Sequence, residues 1–171
     1  MHHKCVWLLM SSLSLFLVGV AVAQQQPAPP VLAILQNYKT VTGDRLKKPE
    51  DADWLMIRRT YDGWGYSPLE QITARNVSRL QPVWVFSTGV GNGHEAPPIV
   101  NNGVMFVGTP GGQVIAIDVR TGALLWRYKR AIPDNAIVGH PTTRGVALYG
   151  DKVFFATNDA FLCCDRRPHG Q

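Results

Sequence analysis

The sequence predicts an all-β fold built from repeated four-stranded antiparallel units. Three observations carry this prediction: short apolar runs are separated by turns rich in Gly, Asn and Asp, similar runs recur at an interval of about 40–50 residues, and a Trp closes each repeat. The composition is that of a globular protein, since 46% of the 171 residues are apolar and 17% are charged.

Net charge and cysteine content argue against two other classes of protein. The chain carries 17 Lys and Arg against 12 Asp and Glu, but the basic residues are scattered and no nucleic-acid motif is present. We therefore expect no nucleic-acid partner. Three Cys are too few for a disulfide scaffold. The five His show no metal-ligand spacing, so we expect no metal-binding residue in this chain.

Residues 1–23 predict an export signal. A short polar start ending at Lys4 precedes an apolar stretch from Val6 to Val22, and Ala21-Val22-Ala23 forms a small-x-small cleavage site. A membrane anchor is the alternative, because the apolar stretch is close to the ~18 residues that span a bilayer. Serines within the stretch and the polar residues after it favour cleavage. We therefore predict an exported mature chain without a stable membrane span.

Composition divides the rest of the chain into three segments. A Pro- and Gln-rich linker covers residues 24–38, and a polar and then aromatic lead-in covers residues 39–79. The repeated β units cover residues 80–171.

The predicted elements are short. A helix is expected after the turn at residues 67–68, with Thr73 as its N-cap and with Ile72 and Val77 as a hydrophobic staple. Asn101-Asn102-Gly103 is a hairpin signal, and the apolar runs around it predict an antiparallel meander. The predicted strands are Val83–Phe86, which precedes the meander, and the four strands of the meander itself, Pro98–Val100, Val104–Val107, Gln113–Ile117 and Leu124–Tyr128.

Comparison of the chain with itself gives the repeat. Gly103–Val107 matches Asp151–Ala156 in pattern, and Trp84 lies 42 residues before Trp126. A four-stranded unit at this period is typical of a β-propeller blade, with an ordinary sandwich as the alternative. Residues 80–171 hold about two blades, whereas a closed ring has about 4–8. We therefore expect an incomplete propeller that is the amino-terminal part of a larger protein.

The segment AIDVRTGALLW, residues 116–126, has the form A-x-D-x-x-T-G-x-x-x-W. It resembles the tryptophan-docking motif of quinoprotein dehydrogenases. The segments DWLMIRRTYDGWGYSPLEQI and NVSRLQPVWVFSTG are similar to the lead-in of the methanol and ethanol dehydrogenases of that family. The resemblance extends approximately from Val41 to Leu162. It implies an eight-bladed β-propeller that binds pyrroloquinoline quinone (PQQ), with about the first two blades present here.

The motif has a structural interpretation. Asp118 and Thr121 can accept hydrogen bonds from nearby backbone amides, and Gly122 accepts a positive φ, so these residues suit a tight turn. Trp126 supplies a large flat apolar face that can pack between neighbouring sheets.

The resemblance also implies two cofactor-binding residues. Glu95, in GHEAPP, resembles the first-blade Glu of the family that reaches the quinone, and Arg144, in TRGVA, resembles the second-blade Arg that does the same. A guanidinium can bind the carboxylates of PQQ through paired hydrogen bonds. Solvated loop charges are the alternative interpretation. The catalytic base and the ligands of the Ca²⁺ or lanthanide ion lie in later blades of such enzymes, so the resemblance implies no catalytic residue here.

The sequence departs from the family in three places. Many relatives carry adjacent, bridged cysteines shortly before the equivalent of Arg144, whereas residues 138–143 contain none, and His140 is a candidate for that side of the site. Cys163-Cys164 lies at the end of a predicted strand, where alternating side chains separate the two sulfurs, so we expect no vicinal disulfide. The ending CCDRRPHGQ interrupts the expected repeat and suggests a frameshift or an early stop.

The function implied by the resemblance is that of a periplasmic alcohol dehydrogenase. Such an enzyme oxidises a primary alcohol to an aldehyde by hydride transfer to PQQ, with a metal ion polarising the quinone carbonyl, and passes the electrons to a cytochrome c. We expect this chain to be inactive alone. The alternative is a non-catalytic propeller scaffold resembling outer-membrane assembly proteins, against which the aromatic lead-in, Glu95 and Arg144 argue.

Overall fold

The computed structural model describes residues 33–91, 93–140 and 142–165. The predicted export signal, most of the predicted linker and the end of the CCDRRPHGQ sequence lie outside these ranges. Within them, two short α-helices and one 3₁₀ helix precede two antiparallel sheets. No helix in these three ranges is long and apolar enough to cross a membrane.

The first sheet has four strands in the order β1-β2-β3-β4, as predicted. Its β1–β2 hairpin has a two-residue turn in which Asn102 (φ 49°) and Gly103 (φ 81°) both adopt the left-handed conformation. Asn-Gly is the sequence that favours such a type I′ turn, so the hairpin prediction is confirmed. The strands are β1 (Ile99–Asn101), β2 (Val104–Thr109), β3 (Gln113–Asp118) and β4 (Leu124–Lys129).

The second sheet repeats the first three strands of this arrangement. Tyr149 pairs with Lys152 across its first hairpin in the same way that Asn101 pairs with Val104 in the first sheet. The repeat in the sequence is therefore a repeat in structure, and the chain forms two blade-like sheets that do not close into a ring. The strands are β5 (Ala147–Tyr149), β6 (Lys152–Ala156) and β7 (Leu162–Asp165), in the order β5-β6-β7.

The core lies between the two sheets. Phe106 of β2 is fully buried, and its ring packs on that of Trp126 with 6.0 Å between centroids. Val153 and Phe155 of β6 are buried from the second sheet. These two residues and Trp126 line a cavity of about 350 Å³ between the sheets. The predicted position of Trp126, between neighbouring sheets, is therefore confirmed.

The turn after β3 has the chemistry that its motif predicts. The Asp118 side chain accepts a hydrogen bond from the Arg120 N–H at 2.8 Å, and Thr121 Oγ1 accepts one from the Ala123 N–H at 3.2 Å. Gly122 has φ 72°, which only glycine adopts without strain. We call residues 118–122 the docking turn, because Trp84 packs directly on Gly122 and donates its indole N–H to the Val119 carbonyl at 2.9 Å.

The lead-in connects the two sheets. Helix α1 covers Ala33–Gln36, at the end of the predicted linker, and helix α2 covers Gly43–Lys47 of the lead-in with Thr42 as its N-cap. Isolated antiparallel bridges join Val41 to Gly150 of the second sheet and Trp54 to Val100 of the first. Because these bridges lie on both sides of α2, the lead-in contacts both sheets.

Arg45 of α2 is the centre of a polar cluster in the lead-in. Its Nη2 donates to Glu50 Oε2 at 2.8 Å, to Asp53 Oδ2 at 2.8 Å and to Asn101 Oδ1 at 3.0 Å. Asp53 also accepts a hydrogen bond from the Asn102 N–H at 2.8 Å. The cluster therefore fixes the lead-in to the β1–β2 hairpin.

The predicted strand Val83–Phe86 is wrong. Residues 83–86 form no ladder with any other described residue. The side chains of Val83 and Val85 are 91% and 88% exposed, whereas Trp84 is half-buried on the docking turn. Trp84 is the residue of this run that packs on the docking turn, and an alternating pattern does not by itself supply a pairing strand.

The predicted N-cap at Thr73 is also wrong. The helix that follows is a single 3₁₀ turn over Val77–Arg79, and the Asn76 side chain accepts a hydrogen bond from the Thr73 N–H at 2.7 Å. An Asn side chain that bonds the local backbone competes with a regular helix start. Ile72 and Val77 are 61% and 49% exposed, so they form no buried staple. The boundaries of the linker, the lead-in and the β units stay predictions.

Candidate functional site

Glu95 and Arg144 occupy equivalent positions in the two sheets. Glu95 lies on the segment that leads into β1, and Arg144 lies on the segment that leads into β5. A parallel bridge between His94 and Thr143 holds these segments side by side. The two charged side chains form an ion pair, with 3.1 Å between Arg144 Nη1 and Glu95 Oε2. The structure thus brings together both residues that the resemblance singled out.

The ion pair is open to solvent and borders a cleft. The side chain of Arg144 is 81% exposed and that of Glu95 is 42% exposed. Arg144 lines a cleft of about 420 Å³ together with Ile99 of the first sheet, Pro97 just before it and Phe154 of the second sheet. A guanidinium has five N–H donors, and a single carboxylate accepts hydrogen bonds from only some of them. The arrangement can therefore bind an anion that carries an apolar body.

Close backbone packing fixes the position of the Arg144 segment. Thr143 is 3% exposed, and its Oγ1 donates to the Thr109 carbonyl at 3.2 Å. A Cβ placed on Gly108 would lie 3.2 Å from Thr143 Cγ2. The absence of a side chain at Gly108 thus allows the β2 backbone to approach this segment, so that Thr143 is buried while Arg144 remains exposed.

The segment that carries Glu95 is held by its neighbour His94. The Nε2 atom of His94 lies 2.9 Å from the Val90 carbonyl oxygen and 3.0 Å from Thr88 Oγ1. Gly93 has φ 73°, and a Cβ there would lie 3.1 Å from Pro110 Cγ. This role of His94 was not predicted from the sequence. Its position directly before Glu95 was the available signal.

His140 lies on the segment before Arg144, but its contacts are local. The Nδ1 atom of His140 lies 2.7 Å from Thr142 Oγ1. The backbone carbonyls of His140 and Thr142 both accept hydrogen bonds from the side-chain amide of Asn158, the second at 3.2 Å. Asn158 also lines the cleft beside Arg144. Sequence reasoning missed Asn158, which lies 16 residues beyond Thr142.

The two described cysteines do not form a disulfide, as expected. Both thiols are free, with Cys163 half-buried and Cys164 exposed. Cys163 Sγ accepts a hydrogen bond from the Tyr128 hydroxyl at 3.3 Å and lines the cavity between the sheets. These thiols therefore lie at a different cavity from the one that Arg144 borders.

The charged groups at the cleft differ from those of a metal centre. No group of three or more His, Cys, Asp or Glu side chains within residues 33–91, 93–140 and 142–165 is arranged to hold a metal ion. The exposed guanidinium of Arg144 at the cleft fits a ligand that carries carboxylates.

Known proteins share this sequence pattern. The family model for PQQ proteins, described as the β-propeller domain of glucose, ethanol and alcohol dehydrogenases, matches residues 54–170. The quinoprotein alcohol dehydrogenase PedH of Pseudomonas putida is 41% identical over 115 residues, which cover 64% of this chain and 19% of PedH. The quinoprotein ethanol dehydrogenase of Pseudomonas aeruginosa is 42% identical over 112 residues, which cover 62% of this chain and 18% of that protein.

Solved structures show the same likeness in three dimensions. The quinohemoprotein alcohol dehydrogenase from Comamonas testosteroni superposes with a TM-score of 0.59 at 34% identity, over 68% of this chain and 18% of that one. A europium-containing methanol dehydrogenase gives a TM-score of 0.60 at 34% identity, over 67% of this chain and 21% of that one. The chain thus spans about one fifth of the length of these relatives.

Proposed function

The chain belongs to the PQQ β-propeller family of glucose, ethanol and alcohol dehydrogenases, and from this premise we propose that it supplies part of the quinone-binding site of an alcohol dehydrogenase. The observation that carries the proposal is the exposed Arg144–Glu95 ion pair at the junction of the two sheets. Relatives that align with this chain are quinoprotein alcohol dehydrogenases.

Arg144 is the residue that would hold PQQ. The quinone carries three carboxylates, and a planar guanidinium binds a carboxylate through two parallel hydrogen bonds. The buried Thr143 holds the backbone beside Arg144, and the Arg144 side chain is 81% exposed. A held backbone thus presents the guanidinium donors to solvent.

Glu95 would orient Arg144. Its carboxylate pairs with Nη1 at 3.1 Å, and its own segment is tied to the Arg144 segment by the bridge between His94 and Thr143. A carboxylate beside an anionic cofactor is unfavourable unless a cation lies between them. Glu95 therefore supports the site through Arg144 and makes a smaller contribution of its own.

The substrate of the proposed enzyme is a primary alcohol, which leaves as an aldehyde. Relatives that match this chain include a quinoprotein ethanol dehydrogenase and a 1-butanol dehydrogenase (quinone), which supports this substrate class. PQQ, when bound, supplies the oxidant that accepts two electrons from the alcohol. The described residues contribute binding and orientation to this reaction.

The proposal includes a metal ion, an electron acceptor and a compartment. A Ca²⁺ or lanthanide ion accompanies the quinone, and the europium-containing methanol dehydrogenase supports a lanthanide as one of the two choices. A cytochrome c receives the electrons, and the enzyme works in the periplasm, to which the predicted signal at residues 1–23 directs it.

Quinone binding is tested with the 171-residue chain and PQQ in the presence of CaCl₂, by isothermal titration. We expect Arg144→Ala to weaken affinity by about 10- to 100-fold, the loss that corresponds to charge-assisted hydrogen bonds, and Glu95→Ala to weaken it less. Arg120→Ala is the matched control, because Arg120 lies on the docking turn at the opposite end of the first sheet. Equal affinity of wild type and Arg144→Ala would refute the quinone site.

Alcohol oxidation is tested in a chimaera. Residues 54–165 replace the matching segment of the Comamonas testosteroni enzyme, to which the chain superposes at 34% identity. We expect dye-linked oxidation of ethanol that depends on PQQ and is reduced by Arg144→Ala. A folded, quinone-loaded chimaera with no oxidation of any primary alcohol would contradict the proposal.

A further inference from the structure

The turn between β6 and β7, residues 157–161, holds the segment that precedes Arg144. Asn158, in this turn, donates its side-chain amide to the carbonyl oxygens of His140 and Thr142. Thr142 is two residues before Arg144. A displacement of the Thr142 carbonyl is therefore transmitted through one buried residue, Thr143, to the guanidinium-bearing residue.

The β6–β7 turn is itself rigidly held. The Thr157 N–H donates to the Phe161 carbonyl at 2.8 Å, and Thr157 Oγ1 donates to the same oxygen at 3.1 Å. Asp159 accepts a hydrogen bond from Arg130 Nε at 2.8 Å, and the Arg130 guanidinium lies 3.8 Å from the centre of the Phe161 ring. Because Arg130 follows β4, these contacts fix the turn against the first sheet.

Asn158 and Arg144 face the same cleft. Both residues line the cleft of about 420 Å³, and Asn158 is half-buried while Arg144 projects into solvent. The side-chain amide of Asn158 donates to two backbone carbonyl oxygens of the cleft wall. It therefore holds the wall in place, and Arg144 is the group that offers a charge to a ligand.

We propose that Asn158 is a positioning residue for the quinone site, and that it acts through Arg144 by holding the carbonyl oxygens of His140 and Thr142. This inference rests on the proposed function. Loss of the two hydrogen bonds leaves the backbone at His140 and Thr142 less restrained. The binding free energy of an anion is then reduced by the entropy lost when the guanidinium of Arg144 is ordered.

A double-mutant cycle tests the inference, with PQQ and CaCl₂ as the probe and the dissociation constant as the readout. We expect Asn158→Ala to weaken affinity about fivefold, the effect of one or two hydrogen bonds. We expect Asn158→Ala to change affinity less than about twofold in an Arg144→Ala background, because the residue through which it acts is then absent. A general loss of stability would instead weaken both backgrounds alike.

Two further variants make the result interpretable. Asn158→Asp keeps the shape of the side chain but lacks the amide donor, so we expect it to weaken binding at least as much as Asn158→Ala, with a folded chain by circular dichroism. Asn76→Ala is the matched control, because Asn76 also donates its amide to a backbone carbonyl, that of Gln71 at 2.8 Å, and we expect unchanged affinity.

The outcomes separate this inference from the proposed function. If Arg144→Ala leaves the affinity for PQQ unchanged, the proposed quinone site is wrong and the inference falls with it. If Arg144→Ala weakens affinity and Asn158→Ala does not, or the two effects multiply in the double variant, Asn158 does not act through Arg144 and the inference alone is overturned.

Discussion

Gly122 shows how a single residue sets the packing of the docking turn. It has φ 72°, and a Cβ built on it would lie 2.7 Å from Trp84 Cγ. Positive φ and close approach to an indole ring are separate demands, and glycine meets both. The indole N–H of Trp84 then reaches the Val119 carbonyl at 2.9 Å.

We predict that Gly122→Ala lowers the free energy of unfolding by about 2–4 kcal/mol, the sum of backbone strain and overpacking. Urea unfolding followed by Trp fluorescence measures the change. Gly111→Ala is the matched control, since Gly111 has φ 77° and nothing lies within 4 Å of its added Cβ. We expect about 1 kcal/mol for the control, and equal losses in the two variants would contradict the packing interpretation.

Single residues were predictable from the sequence where their chemistry is local. Asp118, Thr121 and Gly122 form a turn within five residues, and the structure confirms it. The partner of Trp84 is 35 residues away, and no local pattern specifies that contact. Glu95 and Arg144 came from resemblance, because nothing in their own spacing marks two exposed charges as a pair.

At the scale of elements, the lead-in depends on one polar cluster. The pKa of Glu50 lies well below its ordinary value of 4.5, because Arg45 donates hydrogen bonds to its carboxylate and Lys39 adds another. A carboxyl whose pKa is lower in the folded state stabilises the fold when it is ionised in both states. This contribution is present above about pH 4.5 and is lost as the pH falls below it.

We predict that, as the pH decreases from 6 to about 3, the urea midpoint falls more in wild type than in Glu50→Gln, because the lowered pKa of Glu50 contributes stability only in wild type. Denaturation curves at several pH values measure the slope. Asp44→Asn is the control, because Asp44 is 95% exposed and its ion pair is with the exposed Lys47 at 3.4 Å. A pH dependence in Glu50→Gln as steep as that of wild type would exclude Glu50 as the titrating group.

The strands were predictable because their signals are periodic and their turns are specific. Asn102-Gly103 fixes the register of the first hairpin, and the four strands of the first sheet lie where the pattern indicated. The run at residues 83–86 has the same alternation, but a strand also needs a partner, and the sequence of a single run does not supply one. Helix α2 is held by Arg45 and its distant partners, which explains why its five residues gave no signal.

At the scale of the molecule, the two sheets are joined by few polar contacts and one shared core. Arg130, after β4, forms an ion pair with Asp159 of the β6–β7 turn at 2.8 Å, with side chains 22% and 5% exposed. The cavity between the sheets is lined on one side by Trp126 and on the other by Phe155 and Cys163. Removal of the ion pair should therefore loosen the sheets at this cavity.

We predict that Asp159→Ala increases the rate of maleimide labelling at Cys163 about fivefold, while labelling at the exposed Cys164 changes little. Peptide mapping by mass spectrometry separates the two sites within one sample. Asp134→Ala, at an exposed loop position, is the control for charge removal. If labelling at Cys163 is the same in wild type and Asp159→Ala, the ion pair does not hold the sheets together.

The bridge between Val41 and Gly150 has a consequence for the order of folding. It joins residues about 110 positions apart, so closing this contact costs more chain entropy than forming either hairpin. During translation at ~5–20 residues per second, Val41 leaves the ribosome roughly 5–20 s before Gly150. The Val41 end of the lead-in therefore docks only after Gly150 has been synthesised, whereas the Trp54–Val100 bridge needs only the first sheet.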